Sequence, residues 1–409
     1  MADIFEYLDW RADVPFSVAP FNEVDNLILS ELAYTDFSGV VPESFRKVPL
    51  SSACEQFFRT HSEEELLRST SFTAKAPLLM QHMLTGRRFG RMCLSHHINH
   101  LDAEKTAQLS ATTFLLDDRT AYVAFRGTDS TLVGWKEDFD IGWLSETTGQ
   151  QLAVAYLEQV ASRVRSPLRV GGHSKGGNFA VFASAFCSSQ TQDRILSVYC
   201  NDGPGYRDEI VRQPGYQRIL PRMIRIVPDT SMIGMLLSTQ AACNVVRSSA
   251  SGILQHDGFT WQVRRDQFES AELSETGKIL DRVLDSWIDG MDDLTRKSVT
   301  DTIFSAFEAT GADTFHEMSQ QKWKAAESIL GYIFSAPREK QSELFRLAAE
   351  LIKSGSQAAI AQLPELFLSK KDGHQDGKPL HPAERSQMTI AEHDNKTFPD
   401  ETAQMKNSS

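Results

Sequence analysis

Ser174 stands in Gly172-His-Ser-Lys-Gly176, with an apolar run at 168–170 before it and an Ala- and Phe-rich run after it. That order predicts a strand, a tight turn and a helix, with the serine hydroxyl pushed out at the turn. The chemistry it suggests is acyl transfer. A serine hydroxyl is a poor nucleophile at neutral pH, so it needs a base to take its proton, an acid to orient the base, and N–H donors for the oxyanion. The pattern G-x-S-x-G alone recurs by chance on the order of a tenth of a time in a chain this long, so the remaining sequence must supply those partners.

His256, in Ile253-Leu-Gln-His-Asp257, is the natural base, because the next histidine, His316, falls in a C-terminal helical stretch. Asp229 follows an apolar run at 223–227 and gives the chain order serine, acid, histidine, one of the orders in which such triads occur. Asp202, in Cys200-Asn-Asp-Gly-Pro204, also follows an apolar run. It is read as loop-organising or site-lining and kept as the alternate acid, with Asp257 as a third candidate. For the oxyanion, one N–H is expected from Lys175, the residue after the nucleophile, and a second from Thr128 in Phe125-Arg-Gly-Thr-Asp129. Simpler readings stand beside these: a serine in an ordinary glycine turn, a surface histidine next to Asp257, and a plain strand exit at Thr128.

The elements that must position these residues are readable in outline. Residues 21–90 have helical periodicity, with Val24, Leu27, Ile28 and Leu32 on one face, Asn22 as a cap, and Gly39 and Pro42 at the exit. These helices are expected to cover a sheet and are assigned no chemistry. Strand patterns follow at 91–95, 109–116 and 120–126, then a helix at 150–164, the strand before Ser174, a helix at 177–188, and strands at 195–200 and 223–227. Alternating strand and helix predict an α/β fold whose mainly parallel sheet is covered on both faces, with ligands at the carboxyl ends of the strands. Beyond Trp261 the strand signals stop and helical periodicity runs to about residue 352, before a polar tract. The expected layout is an N-terminal helical cover (1–90), a core (91–268), a helical appendage (269–368) and a disordered tail (369–409).

Composition narrows the partners. With 42 basic and 54 acidic residues the formal charge is −12, against a nucleic-acid partner, which needs a basic face. No apolar run approaches the roughly 18 to 20 residues of a membrane span, so no transmembrane segment is expected, and peripheral membrane contact stays open. The acidic N-terminus does not fit a secretory signal, and the five scattered cysteines fit reduced thiols, so a cytoplasmic location is expected. Neither Asp138 with Asp140 nor His96, His97 and His100 has metal-ligand spacing, and no cofactor or metal is expected.

Five blocks, Phe125-Arg-Gly-Thr-Asp129, Gly134-Trp-Lys-Glu-Asp138, Gly171-Gly-His-Ser-Lys-Gly-Gly177, Asn201-Asp-Gly-Pro-Gly205 and Gln255-His256 with Phe259-Thr-Trp-Gln262, together resemble a bacterial family of α/β-hydrolase-fold proteins classed as a domain of unknown function. More distantly, the first and third blocks are similar to class-three, fungal-type lipases. The resemblance spans about residues 3–265. It implies an α/β-hydrolase fold and a carboxylesterase- or lipase-like serine hydrolase with Ser174 as nucleophile, Asp229 as acid, His256 as base and Thr128 as oxyanion donor. Those lipases carry a lid where Trp135, Phe139 and Trp143 recur at i, i+4 and i+8, so these three are candidate lid or substrate-lining residues. They also carry an apolar residue after the serine, where this chain has Lys175. The ammonium is expected either to favour an acidic or polar substrate or to turn away and pair with an acid between Glu137 and Asp140. The substrate expected is an acyl or lipid-like ester. The alternatives are a thioesterase or amidase using the same residues, and a non-catalytic binding or scaffold protein whose helical appendage recruits a protein partner of unknown kind.

Overall fold

The computed structural model describes residues 2–274, apart from 69–71, 103, 105, 129–135, 138–139, 143 and 232, together with Lys297. The expected tail, the expected appendage apart from residues 269–274 and Lys297, and the aromatic residues Trp135, Phe139 and Trp143 therefore lie outside the described residues.

Eight strands form one sheet in chain order: β1 (Val48–Pro49), β2 (Cys93–Asp102), β3 (Ala107–Leu115), β4 (Ala121–Phe125), β5 (Leu168–His173), β6 (Ile195–Asn201), β7 (Met223–Pro228) and β8 (Cys243–Val246). Pairings from β1 to β4 are antiparallel and those from β4 to β8 parallel. Parallel neighbours need crossovers, and the helices supply them. Thr148–Arg163 joins β4 to β5, and Lys175–Phe186 follows β5.

The alternation along β4 shows why the sheet is covered on both faces. Tyr122 and Ala124 join one apolar core while Ala121, Val123 and Phe125 join another. The first core is closed by the N-terminal helices α1 (Ile4–Arg11), α2 (Glu23–Leu32), α3 (Leu50–Phe58), α4 (Glu63–Arg68) and α5 (Leu79–Met83). The second is closed by α6 (Thr148–Arg163) and α7 (Lys175–Phe186). This is the α/β-hydrolase arrangement, with helical layers on either side of a largely parallel sheet.

Asn22 caps α2 as expected, accepting from the N–H groups of Val24 and Asp25 while Asp25 accepts from the Asn22 N–H. Helix α2 has a second side that the apolar spacing does not reveal. Asn26 and Ser30 on it are fully buried, with Asn26 donating to Asn201 Oδ1 at 2.8 Å and Ser30 bonded to the Tyr122 hydroxyl at 2.9 Å. Asn201 in turn donates to the Gly172 carbonyl at 3.0 Å, so this helix is fastened by hydrogen bonds to the strands beneath the elbow.

Two expectations change. Val263–Arg264 pairs with Gln267–Phe268 beyond Trp261, and β1 and β8 add strands at the two sheet edges. All are two to four residues long, too short to carry a readable period. His96 and His97 of β2 are packing residues at a bulge between Ser95 and Ile98, where His96 stacks on Tyr156 and Phe45 at 4.7 and 4.1 Å between ring centres, whereas His100 lies beyond the bulge and is exposed. Among the described residues no helix is long and apolar enough to cross a membrane.

Candidate active site

Ser174 occupies a backbone conformation of φ 58° and ψ −133°, in the region that disfavours every residue but glycine. Such strain persists only where the surroundings impose it. Here the Ser174 N–H donates to the Asn201 carbonyl at 2.9 Å, and its own carbonyl accepts from the Gly177 N–H at 2.9 Å. The flanking glycines are required by space. A Cβ on Gly172 would lie 2.4 Å from the Gly176 carbonyl, and one on Gly176 would lie 2.1 Å from the Phe125 carbonyl oxygen. His173 and Lys175 are buried on either side, whereas Ser174 is partly exposed. Although it heads α7, its side chain makes no capping bond, which leaves the hydroxyl for other use.

The acid beside His256 is Asp202. Its Oδ2 lies 2.6 Å from His256 Nδ1, and its Oδ1 accepts from the Ser231 hydroxyl at 2.5 Å and the Gly234 N–H at 3.1 Å. Burial alone raises a carboxyl pKa; the bonds from His256 and Ser231 outweigh it and hold Asp202 below its ordinary range. A carboxylate can only accept, so His256 carries a proton on Nδ1, which in the neutral imidazole leaves Nε2 as the accepting nitrogen. The structure gives Asp229, the expected acid, a different partner. Its carboxylate accepts from the neighbouring Thr230 hydroxyl at 3.1 Å, while the loop after β6, one strand from the elbow, reaches His256 instead. Asp257, the third candidate, accepts from the Phe259 N–H at 3.0 Å and caps the next turn.

His256 itself ends a short 3-10 turn, Gly252–His256, and its side chain is 18% exposed. Neighbouring groups brace that loop: Gln255 accepts from the Thr230 N–H at 2.8 Å, and the Trp261 indole donates to the Gln255 carbonyl at 2.9 Å.

On the opposite side, the turn at Gly127 and Thr128 leaves β4 against the elbow. A Cβ on Gly127 would come within 3.1 Å of Ser174 Cβ and 2.6 Å of the His173 carbonyl oxygen. Thr128 is buried there. The Lys175 ammonium turns away from the elbow to Glu137, at 3.2 Å, and both side chains are almost completely buried. Glu137 also accepts from the Thr147 hydroxyl at 3.0 Å and from the N–H groups of Gly149 and Gln108 at 2.8 and 3.0 Å. The lysine charge is therefore neutralised internally and is not presented to a ligand.

One residue of the site escaped the sequence reading. His173, buried beside Ser174, lies with its Nε2 2.7 Å from the His256 carbonyl oxygen and its Nδ1 3.0 Å from the Tyr34 hydroxyl. It sat at a variable position of the motif, and Tyr34 belonged to a segment read as cover.

The family model that fits this sequence is that of the Mbeg1-like proteins, matching residues 37–305, more than half of the 409-residue chain. The chain belongs to the Mbeg1-like family. Among curated proteins nothing matches it. Solved structures similar to this member include M37 lipase, at 13% identity and a TM-score of 0.30 over 51% of this chain and 68% of that one. Another is Lip2 lipase from Yarrowia lipolytica, at 11% identity and a TM-score of 0.29 over 48% and 74%. Likenesses this slight carry no argument about activity, which must come from the residues themselves.

Proposed function

We propose that this Mbeg1-like protein is a serine hydrolase that cleaves a carboxylic ester through an acyl-enzyme on Ser174. The observation that carries the reading is the 2.6 Å bond of buried Asp202 to His256 Nδ1, beside a serine held in an elbow that the backbone cannot adopt without strain. In the proposed cycle Ser174 Oγ attacks the acyl carbon as His256 Nε2 takes its proton. The tetrahedral oxyanion is held by the N–H groups of Lys175 and Thr128. Collapse expels the alcohol, which takes the proton from His256. Water, deprotonated by the same nitrogen, then releases the acid and restores the serine.

Because the Lys175 ammonium is paired with Glu137, it does not itself favour an acidic substrate, and we assign an acyl or lipid-like ester. All five cysteines are free thiols, which supports a reducing compartment such as the cytoplasm. The test is turnover of p-nitrophenyl esters of increasing acyl length by wild type and Ser174→Ala. Wild type is expected to hydrolyse them in a chain-length-dependent way and the variant to fall to background; equal rates for the two would sink the proposal.

A further inference from the structure

We propose that His173 is a positioning residue that ties the backbone of the base His256 to the nucleophile elbow and, through Tyr34, to the oxyanion turn; the inference rests on the serine-hydrolase reading. One imidazole touches all three parts. It ends β5, immediately before Ser174, with its ring centre 4.6 Å from that of His256. A carbonyl oxygen can only accept, so the 2.7 Å contact with the His256 carbonyl places the proton of His173 on Nε2. Its Nδ1 is then bare and accepts from the Tyr34 hydroxyl at 3.0 Å. That hydroxyl lies 2.1 Å from where a Cβ on Gly127 would be, so Tyr34 packs directly on the turn that carries Thr128.

The ring is neutral. Burial first, and the neighbouring His256 second, push its pKa down to about 3. Glu31 approaches Nδ1 at 3.7 Å, and burial first and the charge of Asp257 second hold its carboxyl well above the ordinary range. His256 stands on a loop turn and Asp202 fixes only its Nδ1. A second hold, on its backbone, keeps the His256 loop fixed to the strand that ends at Ser174 while the ring gains and loses a proton.

The test compares His173→Phe, which keeps the ring's bulk without a donor, with His173→Gln, whose amide N–H reaches about as far as Nε2. Ester turnover and the low-field proton resonance of the His256 Nδ1–H are read for each, the second needing no activity. The Phe variant is expected to lose about 10- to 100-fold in kcat at nearly unchanged KM and to broaden that resonance, and Gln to recover most of both. Should the Phe variant not fold, His173→Asn, whose amide is too short to reach the carbonyl, takes its place. Nitrogen shifts of His173 in wild type should show an Nε2-protonated, neutral ring from about pH 5 to 9. A donor-free variant with wild-type kcat and resonance, a Gln variant no better than it, or a proton on Nδ1 in wild type overturns the proposal. A wild type that is inactive yet shows the resonance and its loss in the Phe variant refutes the hydrolase reading instead.

Discussion

Replacing Asp202 by asparagine isolates the acid. Its Oδ1 faces two donors, the Ser231 hydroxyl and the Gly234 N–H, while Oδ2 faces His256 Nδ1 at 2.6 Å. An asparagine keeps its oxygen where the two donors are, which turns its NH2 group toward Nδ1. A donor there forces His256 to shed the Nδ1 proton and carry it on Nε2, the nitrogen that must accept from Ser174. The base is then in the wrong tautomer, with its geometry otherwise intact. Losses from such a tautomer change are about 10⁴-fold in kcat, or about 5.5 kcal/mol of transition-state stabilisation. Asp229→Asn is the matched control, since among the described residues the Asp229 carboxylate holds the adjacent Thr230 hydroxyl alone, and it should cost less than about tenfold. Stopped assays of p-nitrophenyl ester hydrolysis at pH 8, with melting curves to show that both variants fold, decide it. Loss of turnover in Asp229→Asn with retention in Asp202→Asn would refute the reasoning.

Lys175→Met leaves Glu137 buried without its cation and is expected to destabilise by about 3–5 kcal/mol in urea unfolding, with Lys175→Met/Glu137→Gln recovering a large part; a loss under about 1 kcal/mol in the single variant would refute the buried pair. His173 and Glu31, both buried beside the site, set opposite pH slopes. His173 has its folded pKa depressed to about 3, so its stabilising contribution is full above its ordinary 6.5 and is lost as pH falls from 6.5 toward 3, because the unfolded state binds the proton first. Glu31 has its folded pKa raised, so its contribution is full below 4.5 and is lost as pH rises above 4.5 toward that raised value. Glu31→Gln should therefore gain on wild type by up to about 1.4 kcal/mol per pH unit above 4.5, measured by denaturant unfolding at successive pH values; parallel curves would show that Glu31 ionises freely.

How far the sequence could be read depended on the length of each signal. Strands β2 to β7 are five to ten residues long and their alternation or apolar runs are visible, whereas β1, β8 and the ribbon after Trp261 are too short for a period to appear. The elbow was legible because Gly172 and Gly176 are fixed by close backbone contacts, which only glycine satisfies. The choice between Asp202 and Asp229 was not, since both follow strands and only three-dimensional strand order puts the first beside the elbow. A signal was present all the same: Asp directly before Gly203 is a turn pair, and in the structure Asp202 takes the left-handed φ of 48° that Asp tolerates better than most residues. Asn26, Ser30, Glu31 and Tyr34 were lost in a segment whose apolar spacing spoke only of packing, although the first three are fully or almost fully buried polar groups. Polar residues interleaved with an apolar face mark a helix buried on more than one side, and that pattern pointed toward the site.

The central claim is that Ser174 is a nucleophile activated by the His256–Asp202 pair. Mass spectrometry after treatment with a fluorophosphonate tests it most directly, because that reagent reacts with activated serines and leaves a covalent adduct that can be mapped. The account predicts one adduct on Ser174 in wild type, none in Ser174→Ala, and strongly slowed labelling in Asp202→Asn. Folded wild type that takes up no adduct, or an adduct that persists in Ser174→Ala, would contradict it.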